Sequence, residues 1–300
     1  MKPLVFPLPG GEALAVRLAS FIQGDSGILA VHRFPDGETL VRLDTDVKGR
    51  DVVLAGSLDH PDDKTLPLLF AADAARDLGA TRVILVAPYL GYLRQDKRFH
   101  AGEAITSRTY AALLSASIDA LVTVDPHLHR YHRLEQVYRV PTRVVQSAPA
   151  IAAWVRDNVP RPLLIGPDSE SEQWVAAVAH GAGTPFTVLE KTRRGDRNVE
   201  VSLPNASAWL DRTPVLVDDI ISSAQTLIQA AASLRRVGLA PPVCIGVHAL
   251  FAQDAYEQLR ASGVARVVTC DTVAHTSNAI SILEPLADAL RQLLASEESS

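Results

Sequence analysis

Residues 215–227 read VLVDDIISSAQTL, and their reading decides the fold. Val215, Leu216 and Val217 form an apolar run short enough for a buried strand. The acidic pair Asp218–Asp219 follows, then a small, hydroxyl-rich tract: Ser222, Ser223, Ala224, Gln225 and Thr226. Leu227, Ile228, Ala231, Leu234 and Val237 come next, spaced for one face of a helix. Strand, acidic tip, small-residue loop and helix make the layout of a ligand site at the carboxyl edge of a parallel sheet. The loop amides and the helix N-terminus suit a phosphate. The two carboxylates suit sugar hydroxyls, held directly or through hydrated Mg²⁺. The plainer alternative is that Asp218 and Asp219 end a strand while Ser222 or Ser223 caps a helix.

Outward from this stretch, short apolar runs alternate with helical patterns along the whole chain. Strands are expected at 3–8, 28–33, 51–55, 82–87 and 120–124, with helices at 11–20, 64–78 and 107–114. After Pro141 the order restarts. Helices are expected at 146–157, 170–180, from Ala224 and from Gln253. Strands are expected at 163–165, 186–189, 199–203, 215–217, 243–247 and 267–269. Such alternation predicts an α/β protein with mainly parallel sheets flanked by helices. A faint internal repeat divides the chain: TLPLLFAADAARDLGATRVILVAPYL (65–90) lies over TLIQAAASLRRVGLAPPVCIGVHAL (226–250), and SIDALVTVDPH (117–127) over GVARVVTCDTV (263–273). The expectation is two copies of one fold, residues 1–145 and 146–300. Where the second copy carries DDIISS, the first carries GSLDHPDDK.

The 300 residues are 47% hydrophobic and 21% charged, which describes a globular chain with ample core. A formal net charge of −5 argues against a nucleic-acid partner, which usually needs a basic face. Cys244 and Cys270 lie in apolar runs and read as buried thiols of a reducing compartment. The N-terminus shows no signal-peptide-like apolar segment and no 18-residue apolar run occurs, so a cytoplasmic protein with no membrane partner is expected.

Four further loops carry candidate chemistry. PYLGYLRQDKRF (88–99) follows a strand and offers Arg94, whose planar guanidinium suits phosphates or stacking on a base. DPHLHRYH (125–132) has three histidines. No cysteine or acidic cluster completes a zinc set. His127 is best placed to reach a ligand, with His129 and His132 at the surface. GPDSESEQWV (166–175) puts Asp168 at a strand tip, as ligand or cap, with Ser169 or Ser171 capping a helix that buries Trp174 and Val178. LEKTRRGDR (189–197) is a cationic flap in which Lys191 and Arg193 alternate, an arrangement suited to a transferring phosphoryl group.

RFPDGE (33–38), PYLGYLRQDK (88–97), DPH (125–127), GPD (166–168), EKTR (190–193) and VDDIIS (217–222) occur in that order. Together they resemble the ribose-phosphate pyrophosphokinase family over nearly the whole chain, and EKTR and DDIIS look most like its archaeal-type branch. The resemblance implies two phosphoribosyltransferase-like domains. The activity it implies is transfer of the β,γ-diphosphoryl group of ATP to ribose 5-phosphate, with Mg²⁺ as cofactor. It implies that Phe34, Asp36 and Glu38 hold adenine across a subunit interface, which requires a homo-oligomer, and that Arg94 and Gln95 contact ATP. By the same resemblance His127 and Asp168 bind Mg²⁺, and Lys191 and Arg193 close over the transferred group. Asp218 and Asp219 meet the ribose hydroxyls, and Ser222, Ser223, Ala224, Gln225 and Thr226 the 5-phosphate. Ala224–Gln225 departs from the family's usual Gly–Gly, and SESEQ (169–173) from a small, Gly-rich turn. Two other readings follow from those departures and from the shared loop: a regulatory homologue that binds nucleotide or sugar phosphate with little turnover, and a phosphoribosyltransferase.

Overall fold

The computed structural model describes residues 1–194 and 198–295, with the backbone alone at 170, 191–194 and 198–201. The chain forms two compact units, Met1–Val145 joined by the C-terminal segment from Leu283, and Gln146–Ile282.

In the first unit the elements run β1 (Leu4–Pro7), α1 (Glu12–Phe21), β2 (Asp25–Ser26), β3 (Leu29–Arg33), β4 (Thr39–Leu43) and β5 (Asp51–Ala55). They continue as α2 (Pro61–Asp77), β6 (Arg82–Val86), α3 (Thr106–Ser117), β7 (Ala120–Val124) and β8 (Thr142–Val145). The sheet order is β2-β1-β5-β6-β7-β8, parallel throughout. Alternate residues of its strands, Leu4 and Phe6, Val52 and Leu54, Val83 and Leu85, share one core with Leu68, Ala72, Tyr110 and Leu114 of α2 and α3. β3 and β4 form a separate antiparallel ribbon.

The second unit comprises α4 (Ala148–Asn158), β9 (Pro162–Gly166), α5 (Glu172–Ala182), β10 (Phe186–Val188), β11 (Glu190–Arg194), β12 (Asn198–Ser202) and β13 (Thr213–Ile221). There follow α6 (Gln225–Arg236), β14 (Val243–Ala249), α7 (Ala255–Ala261), β15 (Arg266–Cys270) and β16 (Asn278–Ile280). Its sheet order is β10-β9-β13-β14-β15-β16, again parallel. Position by position this repeats the first sheet, so the internal repeat is a duplicated fold.

Three expectations change. The chain does not divide at 146 into two continuous halves: the last helix, α8 (Leu283–Ala295), packs on α1, β7 and β8 of the first unit. Leu283, Leu286, Leu290 and Leu293 are buried there, and the Arg291 guanidinium donates to the Phe21 carbonyl at 3.0 Å. Leu spacing marks α8 as amphipathic, but no periodicity tells a helix which sheet it will cover. Second, β13 does not stop at Val217. It runs through both aspartates to Ile221, with Asp218 opposite Gly246 and Ile221 opposite Ala249. Third, Trp174 is only half-buried, whereas Val178 is buried as expected. Cys244 and Cys270 are buried, and no disulfide joins them. Among the described residues no helix is long and apolar enough to cross a membrane.

Candidate active site

In the second unit the chain leaves β9 for β10 on one side and returns to β13 on the other. The crevice beyond the carboxyl ends of β9 and β13 is therefore the sheet's switch point, where open α/β sheets bind ligands. Asp168 follows β9 there, and Asp218 and Asp219 lie in the last turn of pleat of β13. Gly166, at the end of β9, has no room for a side chain: a Cβ would come within 2.4 Å of the Ser171 hydroxyl. That close approach lets the chain fold back, with the Asp168 carboxylate accepting from the Ser171 amide at 3.3 Å and the Ser171 hydroxyl donating to the Asp168 carbonyl at 2.6 Å. Asp168 is thus a cap, and Ser171, the residue before α5, makes no side-chain cap bond.

The acidic pair is held by its own backbone. Asp218 accepts from the Asp219 amide at 3.0 Å, and Asp219 from the Ile220 amide at 2.8 Å. Burial pushes the Asp218 carboxyl up to about 8, the charge of Asp219 adds to the rise, and Asp168 contributes a smaller push of the same sign. Three carboxylates thus act on one another in this crevice, an arrangement that favours a cation or hydroxyl donors.

α6 begins beside them. The residue before it is Ala224, in the left-handed conformation at φ 59° and ψ 0°, and among the described residues no side chain caps the helix. Neither Ser222 nor Ser223 serves as the cap. The first turn of α6 carries no acidic residue, so its amides suit an anion. Ala224 is 6% exposed, its methyl packed into the core with Leu227 and Ile221. Thus the smallest residue with a Cβ stands at this left-handed turn. Gln225 and Thr226 are exposed, and the Gln225 amide donates to the Gln258 side-chain oxygen of α7 at 3.4 Å. Ser222 accepts from the Ala252 amide at 3.2 Å, which ties the loop to the end of β14.

The matching loop of the first unit is built differently. Lys64 reaches back from α2 to the Ser57 carbonyl at 2.9 Å and the Asp59 carboxylate at 2.6 Å. The first turn of α2 holds Asp62 and Asp63, whose charges repel a phosphate.

Candidate residues of the first unit lie instead on the next two loops. Tyr89, Leu90 and Leu93 are buried and anchor the segment after β6, leaving Arg94 and Gln95 exposed. Gln95 is fixed by its backbone: its amide donates to Tyr92 at 3.1 Å and its carbonyl accepts from Ser107 of α3 at 3.2 Å. After β7, His127 is half-buried with its ring 4.1 Å from that of His129; His129 and His132 are exposed. The preceding Asp125 takes a positive φ of 32°, which turns the chain sharply off the strand. The β3–β4 ribbon carries Phe34, Asp36 and Glu38 at its tip. The turn closes through Phe34 N–H to Glu38 O at 2.8 Å and Glu38 N–H to the Asp36 carboxylate at 3.1 Å. Phe34 is 39% exposed, an aromatic ring held out on a ribbon.

Lys191 and Arg193 fall in β11, opposite Val201 and Val199 of β12. Their side chains, and residues 195–197 of the same flap, lie outside the described residues. Sequence reasoning passed over Asp96. In RQDK it looks like one more loop charge, yet it is 8% exposed. No periodicity in so short a loop signals this.

A duplicated parallel sheet, with an acidic strand end and a left-handed turn into a helix free of first-turn acid in its second copy, defines the class as two-domain and phosphoribosyltransferase-like. Residues 4–117 match the N-terminal domain of ribose phosphate pyrophosphokinase, and residues 134–285 the phosphoribosyl transferase domain. The ribose-phosphate pyrophosphokinase of Methanopyrus kandleri is 34% identical over 97% of this chain and 99% of its own. That of Methanothermobacter thermautotrophicus is 31% identical over 96% and 100%. The fold is also that of the phosphoribosylpyrophosphate synthetase of Mycobacterium smegmatis, with TM-score 0.85, 23% identity and full coverage of both chains. The chain belongs to the ribose-phosphate pyrophosphokinase family.

Proposed function

We propose that this chain transfers the β,γ-diphosphoryl group of ATP to the C1 hydroxyl of ribose 5-phosphate. In this step the C1 oxygen bonds to the β-phosphorus and gives up its proton, and the bond from the β-phosphorus to the α,β-bridging oxygen breaks. The products are 5-phosphoribosyl 1-diphosphate and AMP. The observation that carries this is the pairing, at one switch point, of the Asp218–Asp219 carboxylates with the left-handed turn at Ala224 and an α6 first turn that carries no acidic residue. The carboxylates suit vicinal hydroxyls and the α6 amides suit the 5-phosphate. Ala224 supports turnover over a purely regulatory role, because it holds the left-handed turn that the usual glycine would supply.

The donor set fits Mg²⁺. Among the described residues no group of three or more His, Cys, Asp or Glu could hold a metal by itself. Mg²⁺ is commonly bound by one or two side chains together with substrate phosphates and water. The raised Asp218 and its carboxylate neighbours favour a hard cation. We assign His127 of the first unit and Asp168 of the second each to Mg²⁺-bound nucleotide phosphates, where the ion would neutralise phosphate charge. Arg94 and Gln95 bind ATP, and Phe34, Asp36 and Glu38 of a neighbouring copy take the adenine, which makes the working protein a homo-oligomer. Lys191 and Arg193 stabilise charge on the transferring group. Such a transfer depends on positioning and charge neutralisation and requires no side-chain nucleophile.

The test is product identification by ³¹P NMR after incubation with ATP, Mg²⁺ and ribose 5-phosphate. A C1 diphosphate together with AMP is expected. ADP in place of AMP, or sugar phosphate binding without turnover, refutes the assignment.

A further inference from the structure

The loop after β6 presents its charges unevenly. Arg94, Gln95 and Arg98 are exposed, while Asp96 between them is buried at 8% exposure. The loop's other cations are engaged elsewhere. Arg98 donates to the Glu103 carbonyl at 2.9 Å, and the Lys97 ammonium lies 4.7 Å over the Phe99 ring. The cation that faces Asp96 comes from the neighbouring loop: Arg130 Nε is 3.7 Å from Asp96 Oδ1. Asp96 Oδ2 is buried and has no hydrogen-bond partner among the described residues.

A buried carboxylate so incompletely paired destabilises the fold relative to a neutral residue of the same size. It is therefore unexpected unless its charge has a task. Arg130 stands three residues beyond His127, on the loop after β7. A second tie runs in parallel, from Arg108 Nε of α3 to the Tyr131 hydroxyl at 3.3 Å. α3 is itself fastened to the first loop through Ser107 N–H and Gln95 O at 3.2 Å. The loop bearing Arg94 and Gln95 and the loop bearing His127 are thus joined at adjacent points.

We infer that Asp96 is a positioning residue: through Arg130 it sets the spacing between Arg94–Gln95 and His127, and thereby the grip on the nucleotide triphosphate. This rests on the assignment of those loops to ATP. The ribose 5-phosphate residues belong to the other unit, so the effect is confined to the nucleotide side.

The experiment measures kcat, both KM values, the Mg²⁺–ATP dissociation constant by calorimetry and Tm. It compares the full chain with Asp96→Asn, Arg130→Ala, Arg130→Lys and the Asp96→Asn/Arg130→Ala double variant. Misplacement of binding groups by about an ångström is expected to lower kcat/KM for ATP about tenfold to a hundredfold in each single variant. The double variant is expected to be no worse than either single one. KM for ribose 5-phosphate stays within about twofold, since no contact of that side is touched. Arg130→Lys, which keeps the charge but not the fork, recovers part of the loss. Additive losses in the double variant, equal changes in both KM values, or a lowered Tm with unchanged kinetics would each overturn the inference. Should Asp96→Asn fail to fold, Arg130→Ala decides it, because that side chain is 52% exposed and its removal opens no core. If the unaltered chain binds Mg²⁺–ATP without forming AMP, diphosphoryl transfer is refuted, while the variants' ATP affinities still decide the role of Asp96.

Discussion

Replacing Asp218 by Asn keeps the shape of the acidic pair and removes one charge. The Asp218 carboxyl is raised from 3.8 to about 8 by burial, by Asp219 and, more weakly, by Asp168. A raised folded-state value means that stability is fully present below the unfolded value and is lost as pH rises through the folded one. Each pH unit inside that window costs about 1.4 kcal/mol for a fully isolated group. Water reaches this half-buried carboxylate, and screening reduces the change between pH 5.5 and 8 to roughly 1–2 kcal/mol. Asp218→Asn lacks this loss, so its Tm advantage over the unaltered metal-free chain should widen by about 3–6 °C across that interval. If the charge of the ionised pair and its neighbour Asp168 attracts Mg²⁺ in the native state only, added Mg²⁺ should raise the Tm of the unaltered chain at pH 8 and narrow the gap. Turnover of the variant should fall by about a hundredfold or more as the ribose hydroxyls lose an acceptor. The assay is a thermal melt series over pH, with and without Mg²⁺, on both proteins. A gap that stays constant with pH, or an equal Mg²⁺ rise in both proteins, would refute the electrostatic argument.

Ala224→Gly should leave Tm and turnover nearly unchanged. Relief of the left-handed strain, about 1 kcal/mol, is offset by one lost buried methyl at about 0.8 kcal/mol and by greater freedom of the unfolded chain. Ala224→Val, branched where φ is positive, should lower Tm by the equivalent of more than about 1 kcal/mol; unchanged melting would show that the turn is not held. Lys191→Ala should reduce turnover by about 10²–10³ at unchanged Tm, as for the loss of one group that stabilises charge in the transition state, and undiminished turnover would remove its assigned role. Leu290→Ala in α8 should cost about 2–5 kcal/mol, read by denaturant unfolding. Its effect should show in amide exchange of β7 and β8, and protection lost instead from the second unit would refute the placement of α8.

The acidic strand, the small-residue loop and the following helix were legible because each depends on local chemistry: apolar runs, charge and backbone permissiveness within a few residues. The internal repeat gave the duplicated sheet, since matching apolar patterns bury matching faces. Where the site was misread, the cause was non-local. Asp218 and Asp219 look terminal by polarity, but pairing with Gly246 and its neighbours in β14 extends β13 through them. The serines look like caps, yet the cap position falls on Ala224, one residue beyond them, and the helix starts at Gln225.

The sequence by itself determined the α/β class, the two-copy plan, the acidic pair and the loops that carry cations and histidine, because periodicity and composition are properties of neighbouring residues. Only the tertiary structure decided that α8 returns to the first unit, that β13 runs through the acidic pair alongside β14 and that Asp96 is buried facing Arg130. Each of these depends on which distant segment arrives to bury a face or pair a charge, and that is settled by packing across tens of residues, which no local pattern records.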